Sequence, residues 1–205
     1  MSITAIIDYG MCNLDSVARA VEECGGTPLV TDQAKDLGRA ARIILPGVGA
    51  FPEAMNNIRK RSFEEALQEQ VIHRQIPLLG ICLGMQLLAE KGTEIEEING
   101  LGLIAGEIRR LEANEQDTRL PHIGWNEVHF VKESILFRGV DTGRDFYFVH
   151  SYHFCPENES DKLAWTPYSN GFASAVQKQQ IFGVQFHPEK SQRLGFQVLK
   201  NFLKV

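Results

Sequence analysis

Along the first half of the chain, short apolar runs recur without polar alternation, at residues 3–7, 43–45 and 76–81. Strands buried on both faces of a parallel sheet read this way, because neither face of the pleat meets water. Between them the period changes. Leu14, Val17, Ala18, Val21 and Cys24 share one helical face, with Asn13 placed as N-cap and Gly25-Gly26 as the stop. Residues 27–31 read as a short strand whose Pro28 suits a sheet edge or a strand start. Residues 32–41 predict one short helix, and 52–73 a long charged helix broken near Arg61-Ser62. This alternation of strand and helix predicts an α/β fold: a doubly wound, mostly parallel central sheet with flanking helices.

After Ala89 the pattern turns β-rich. Residues 101–104, 108–111, 122–130 and 146–154 read as strands, and 172–176 with 181–186 as a hairpin. A closing helix over 191–203 turns Leu194, Val198, Leu199 and Phe202 inward. No repeat, low-complexity tract or linker interrupts the chain, so residues 1–205 are expected to form a single domain.

Composition works mainly by exclusion. With 43% hydrophobic and 23% charged residues the chain is ordinary globular material, and a net charge of −5 without charge blocks argues against nucleic acid. Cys12, Cys24, Cys82 and Cys155 lack the paired spacing of a zinc knuckle or redox motif. His150 and His153, on one strand, would point to opposite faces, so no metal site and no cofactor is expected. Without a membrane-length apolar stretch or a leader-like start, the expected location is the cytoplasm.

The chemistry gathers at Gly80-Ile81-Cys82-Leu83-Gly84. A cysteine between a buried strand and a helix, flanked by glycines, is the thiol counterpart of the serine nucleophile elbow. The helix beginning near Gly84 would turn its positive end toward the sulfur and favour thiolate. Alone, Cys82 reads more simply as a buried core cysteine. The rest of the chain changes that. His187-Pro188-Glu189 ends a predicted strand, supplying a general base and the carboxylate that orients it, so Cys82, His187 and Glu189 make a candidate triad. Pro46-Gly47-Val48-Gly49 also ends a strand, and the backbone N–H groups of Val48, Gly49 and Leu83 are candidate oxyanion donors.

Gly80-Ile81-Cys82-Leu83-Gly84-Met85-Gln86, taken with Gly183-Val184-Gln185-Phe186-His187-Pro188-Glu189, resembles the class I glutamine amidotransferases. Ile7-Asp8-Tyr9-Gly10, Pro46-Gly47-Val48-Gly49-x-Phe51, Leu120-Pro121-His122-x-Gly124-Trp125-Asn126 and Pro188-Glu189-Lys190-Ser191 narrow it to the glutaminase subunits of imidazole glycerol phosphate synthase. The resemblance covers essentially the whole chain. It implies that Cys82 attacks the side-chain amide of glutamine, that Gln86 holds the substrate's amino-acid end, and that Glu94 pairs with its ammonium group. Glu96 and Glu97 are the alternatives to Glu94.

It also implies a heterodimer partner, the (β/α)₈ cyclase subunit. That partner would use the ammonia to make imidazole glycerol phosphate and aminoimidazole carboxamide ribotide. A partner-facing loop would include Pro121, His122, Trp125 and Asn126, although Trp125 reads equally as a core residue. Cys12 stands where related chains commonly have glycine. A flipped peptide at Val48 is the expected off-state of the oxyanion turn. Three other readings stay open: a paralogue feeding ammonia to surface-polysaccharide sugars, a stand-alone γ-glutamyl hydrolase, and a non-catalytic scaffold.

Overall fold

The computed structural model describes residues 2–114 and 119–205, and in its first half strand and helix alternate. β1 (Ile3–Ile7), α1 (Leu14–Glu23), β2 (Thr27–Thr31), β3 (Arg42–Gly47), α2 (Phe51–Lys60), α3 (Phe63–Leu67) and β4 (Leu78–Cys82) follow in order. A single helical turn, α4 (Leu83–Gln86), comes directly after β4. α1 ends as expected: Gly25 turns left-handed (φ 85°), and the amides of Gly25 and Gly26 close onto Glu22 and Val21. Asn13 occupies the N-cap position, but its side chain makes no capping bond. The helix expected over 32–41 is only a 3₁₀ stretch, Ala34–Arg39, with the weak helix former Gly38 inside it. Ser62, at φ 57°, breaks α2 from α3, and α3 continues as a π-helical stretch, Gln68–His73.

The second half holds β5 (Lys91–Gly92), β6 (Ile98–Asn99), β7 (Gly106–Arg110), β8 (His122–Phe130), β9 (Arg144–His150), β10 (Tyr152–Pro156), β11 (Lys162–Thr166), β12 (Phe172–Lys178), β13 (Ile181–Val184) and α5 (Gln192–Phe202). The sheet runs β2-β1-β3-β4-β13-β12-β10-β7-β5-β6, while β11 joins β12 to β8, and β8 pairs with β9. β2, β1, β3, β4 and β13 are parallel; from β12 outward pairing is antiparallel except between β5 and β7.

Two expected strands are corrected. Residues 101–104 are not a strand: their apolar side chains are buried, but the amides of Leu101, Leu103 and Ile104 bond to the carbonyls of Leu87 and Leu88. Residues 146–154 form two strands, β9 and β10, broken at Ser151.

Alternate residues of the parallel strands feed two cores. Ala5, Ile7, Ile43 and Leu45 pack with Phe51, Met55, Ile58 and Phe63 of α2 and α3. Ile6, Ile44, Leu79 and Ile81 pack with Val17 and Val21 of α1 and Val198, Leu199 and Phe202 of α5. Burial on both faces is why these strands show no polar alternation, and each large side chain so buried contributes roughly 1.5–3 kcal/mol. Among the described residues, no helix is long and apolar enough to cross a membrane.

What matters for chemistry is one pairing. β4 and β13 are parallel neighbours, with Ile81 beside Val184, so the chain leaves both strands at the same edge of the sheet. β3 lies on the other side of β4, with Gly47 beside Cys82. Ligands of open α/β sheets bind beyond such carboxyl ends.

Candidate active site

β4 delivers Cys82 with φ 54° and ψ −111°, a backbone conformation that a side chain adopts only under constraint. The constraint is packing. A Cβ at Gly84 would run into the Leu45 carbonyl of β3, and one at Gly80 would lie 2.6 Å from the Gly84 oxygen. Only glycine lets α4 press this closely on β3 and β4, turning the chain sharply at Cys82. The sulfur is nearly buried. Gln185 donates to it through Nε2 at 3.7 Å, and the Val149 carbonyl lies 3.8 Å away.

His187 follows β13 and is fixed from several sides. Its amide donates to the Tyr147 carbonyl of β9 (2.9 Å), and its carbonyl accepts from Ser191 Oγ (2.7 Å). Its Nδ1 meets Glu189 Oε1 at 2.7 Å, both side chains being buried. Burial alone would lower the imidazole's pKa; Cys82 and Glu189 beside it outweigh that and raise it to about 10. A proton taken up by His187 is therefore well held. With Nδ1 engaged by Glu189, the buried Nε2 has no hydrogen-bond partner among the described residues and is left to act on the sulfur.

Beside Cys82 opens a cavity of about 260 Å³. The 48–49 turn, Cys82, Leu83, Gln86, Glu94 and residues 149–152 enclose it. A larger hollow lined by residues 130–142 contains none of these groups.

Residues 5–205 match the family described as glutamine amidotransferase class-I. The imidazole glycerol phosphate synthase subunit HisH of Moorella thermoacetica is 48% identical, over 97% of this chain and 92% of its own length. The subunit HisH 1 of Campylobacter jejuni strain RM1221 is 45% identical, over 98% and 99%. The chain belongs to the class I glutamine amidotransferases, among the HisH subunits. The fold agrees at greater distance: a crystal structure of a glutamine amidotransferase superposes with a TM-score of 0.76 at 16% identity, over 98% of this chain and 99% of that one.

Within this HisH-type chain, several of the expected site residues come together. Cys82, His187 and Glu189 emerge at one sheet edge, and Gln86, Glu94, Gly49 and Leu83 share the cavity wall with Cys82. Gln86 is held by its own amide, which donates to the Tyr152 carbonyl (2.9 Å) and to Gln185 Oε1 (3.1 Å). Glu94 accepts from the Phe51 amide at the start of α2 (2.8 Å), whereas Glu96 and Glu97 are exposed and Glu97 pairs with Lys91. Of the three carboxylates only Glu94 lines the cavity.

Other expectations need correction. Val48 lines the cavity, but its amide donates to the Met11 carbonyl (2.9 Å), so it is not an available oxyanion donor in this arrangement. α4 is one turn long, so little macrodipole stands behind Cys82. Pro121–Asn126 is not a loop: from His122 on it is strand β8. Pro121, Ile123 and Trp125 are exposed and Asn126 is partly covered, while His122 is buried and cannot offer its ring to a partner. Trp125 is 48% exposed, which removes the core reading. Cys12 lies under the turn, its sulfur 3.4 Å from the Pro46 carbonyl, and burial pushes its thiol up to about 11.

Sequence reasoning misses Gln185 and the wall at 149–152. Gln185 stands two residues before His187 on the same short motif, so a signal for it exists. The wall has none, because the strand break that makes it is silent in the hydrophobic pattern.

Proposed function

We propose that this chain is a glutaminase subunit that frees ammonia from glutamine for a (β/α)₈ cyclase partner, within imidazole glycerol phosphate synthase and the pathway of histidine biosynthesis. The observation that carries this reading is the strained Cys82 beside the His187–Glu189 pair, opening on a cavity with Gln86 and Glu94 in its wall.

In this reading glutamine enters with its α-ammonium toward Glu94 and its side-chain amide at Cys82. The sulfur attacks the amide carbon, and a tetrahedral oxyanion forms. His187 passes a proton from the thiol to the leaving nitrogen, ammonia departs, and a glutamyl thioester remains on Cys82. Water, deprotonated by His187, then releases glutamate and restores the thiol. Glu189 keeps the imidazole in the correct tautomer and stabilises its charged form. Gly49 and Leu83 supply the oxyanion donors, joined by Val48 once its peptide turns away from Met11. That turn is the switch by which the partner's ligand would activate the site. Identical Val48 peptide orientations in the free chain and the active complex would sink this switch.

Trp125 is the anchor we assign to the partner interface, with Pro121 and Asn126 beside it. A cytoplasmic location follows from the biosynthetic role.

The test is glutamate release by the chain alone, then with its cyclase partner and the ribulosyl nucleotide. Strong stimulation that disappears in Cys82→Ala is expected. High activity without a partner would indicate a free-standing γ-glutamyl hydrolase instead. A partner-bound chain indifferent to that nucleotide would indicate the sugar-modifying paralogue.

A further inference from the structure

Behind the cavity, a line of polar groups runs inward from the partly covered Asn126 of β8 through buried histidines to Gln86. Asn126 Nδ2 lies 3.2 Å from His122 Nε2, His122 Nδ1 lies 3.0 Å from His150 Nε2, and His150 Nδ1 lies 2.8 Å from the Tyr152 carbonyl. The same carbonyl accepts the Gln86 amide.

Proton positions follow from the fixed end. A carbonyl only accepts, so His150 carries its proton on Nδ1. Burial, against the opposing pull of the Tyr152 carbonyl, lowers the His150 pKa to about 3, so the ring is neutral and its Nε2 accepts. His122 must then donate from Nδ1, and its Nε2 accepts from the Asn126 amide. Stacking fixes the His122 ring in place, at 3.9 Å from Tyr168 and 4.9 Å from Phe148 between centroids.

The line ends at a consequential point. Ser151 is the break between β9 and β10, and residues 149–152 form one cavity wall. The His150 side chain spans that break by bonding to the carbonyl two residues on, and that carbonyl in turn fixes Gln86.

We propose that His122 and Asn126 are positioning residues for glutamine: through His150 they hold the Ser151–Tyr152 backbone and Gln86 in the shape that receives the substrate. This rests on the glutaminase reading. Neither residue lines the cavity, so their effect must pass through His150.

The test measures steady-state glutamine hydrolysis in the complex with cyclase and nucleotide, together with glutamine binding to the same variants in a Cys82→Ala background. His122→Phe keeps the stacked ring and removes both nitrogens. It should raise KM and the dissociation constant roughly tenfold, the value of one well-made buried hydrogen bond, with kcat little changed. His122→Asn, whose amide nitrogen reaches toward the place of Nδ1, should recover most of that loss. Asn126→Ala should shift KM in the same direction by less, and it carries the test if His122→Phe does not fold. Unchanged KM in these variants, or a loss in kcat alone that His122→Asn does not repair, overturns the proposal. A wild-type complex that neither binds nor hydrolyses glutamine overturns the glutaminase reading and this proposal together.

Discussion

His150 and His187 are both buried near the same sulfur, yet their surroundings drive them in opposite directions. An unfolded histidine binds its proton below about pH 6.5. Folded His150, lowered by burial to about 3, stays neutral well below that. Between those values the unfolded chain binds more protons, so stability falls as pH falls. Folded His187 has burial working against it but Cys82 and Glu189 working for it, and it keeps its proton up to about 10. Its contribution is full below about pH 6.5 and is lost as pH rises toward 10. Denaturant melts across this range should therefore show His150→Phe flattening only the acid limb and His187→Gln only the alkaline limb. Equal effects on both limbs would show that the two rings do not differ in this way. Gly84 offers a harsher probe, because a methyl group there collides with the Leu45 carbonyl. Gly84→Ala should cost about 3 kcal/mol or more, read as a lowered denaturant midpoint with unchanged slope.

β8 shows how an element can face two ways. Its alternation puts Ile123, Trp125 and Glu127 toward solvent, while His122 and Val128 are buried on the other side. Trp125→Ala should weaken binding of the cyclase partner about 10- to 100-fold while leaving the fold intact, as loss of an aromatic anchor does. Calorimetric titration against that partner decides it; an unchanged dissociation constant would remove Trp125 from the interface. The extent of β8 was legible in advance, as were β1 and the break at Ser62. The β9–β10 break was not. Phe146, Phe148, His150 and Phe154 are all buried at even positions, so the alternation runs through Ser151 undisturbed. Residues 101–104 misled for the opposite reason: an apolar run looks the same whether its amides serve a sheet ladder or cap the end of α4. The elbow and the His187–Glu189 pair were legible because strained turns and paired side chains leave local motifs, whereas Gln86 came only through the family resemblance. The Val48–Met11 bond joins segments far apart in sequence and left none.

Taken as a whole, the molecule is a parallel sheet whose β3, β4 and β13 end side by side, with an antiparallel extension that closes the cavity. β3 brings the 48–49 turn, β4 the sulfur, and the segment after β13 the histidine and carboxylate, while the β9–β10 break supplies another wall. In the glutaminase reading, glutamine is opened by covalent attack from Cys82. Its most direct test is peptide mapping by mass spectrometry after acid quench of the complex during turnover with its nucleotide. A glutamyl adduct is expected on the peptide bearing Cys82, lost along with glutamate release in Cys82→Ala. Full turnover in Cys82→Ala, or an adduct on Cys12 instead, would contradict it.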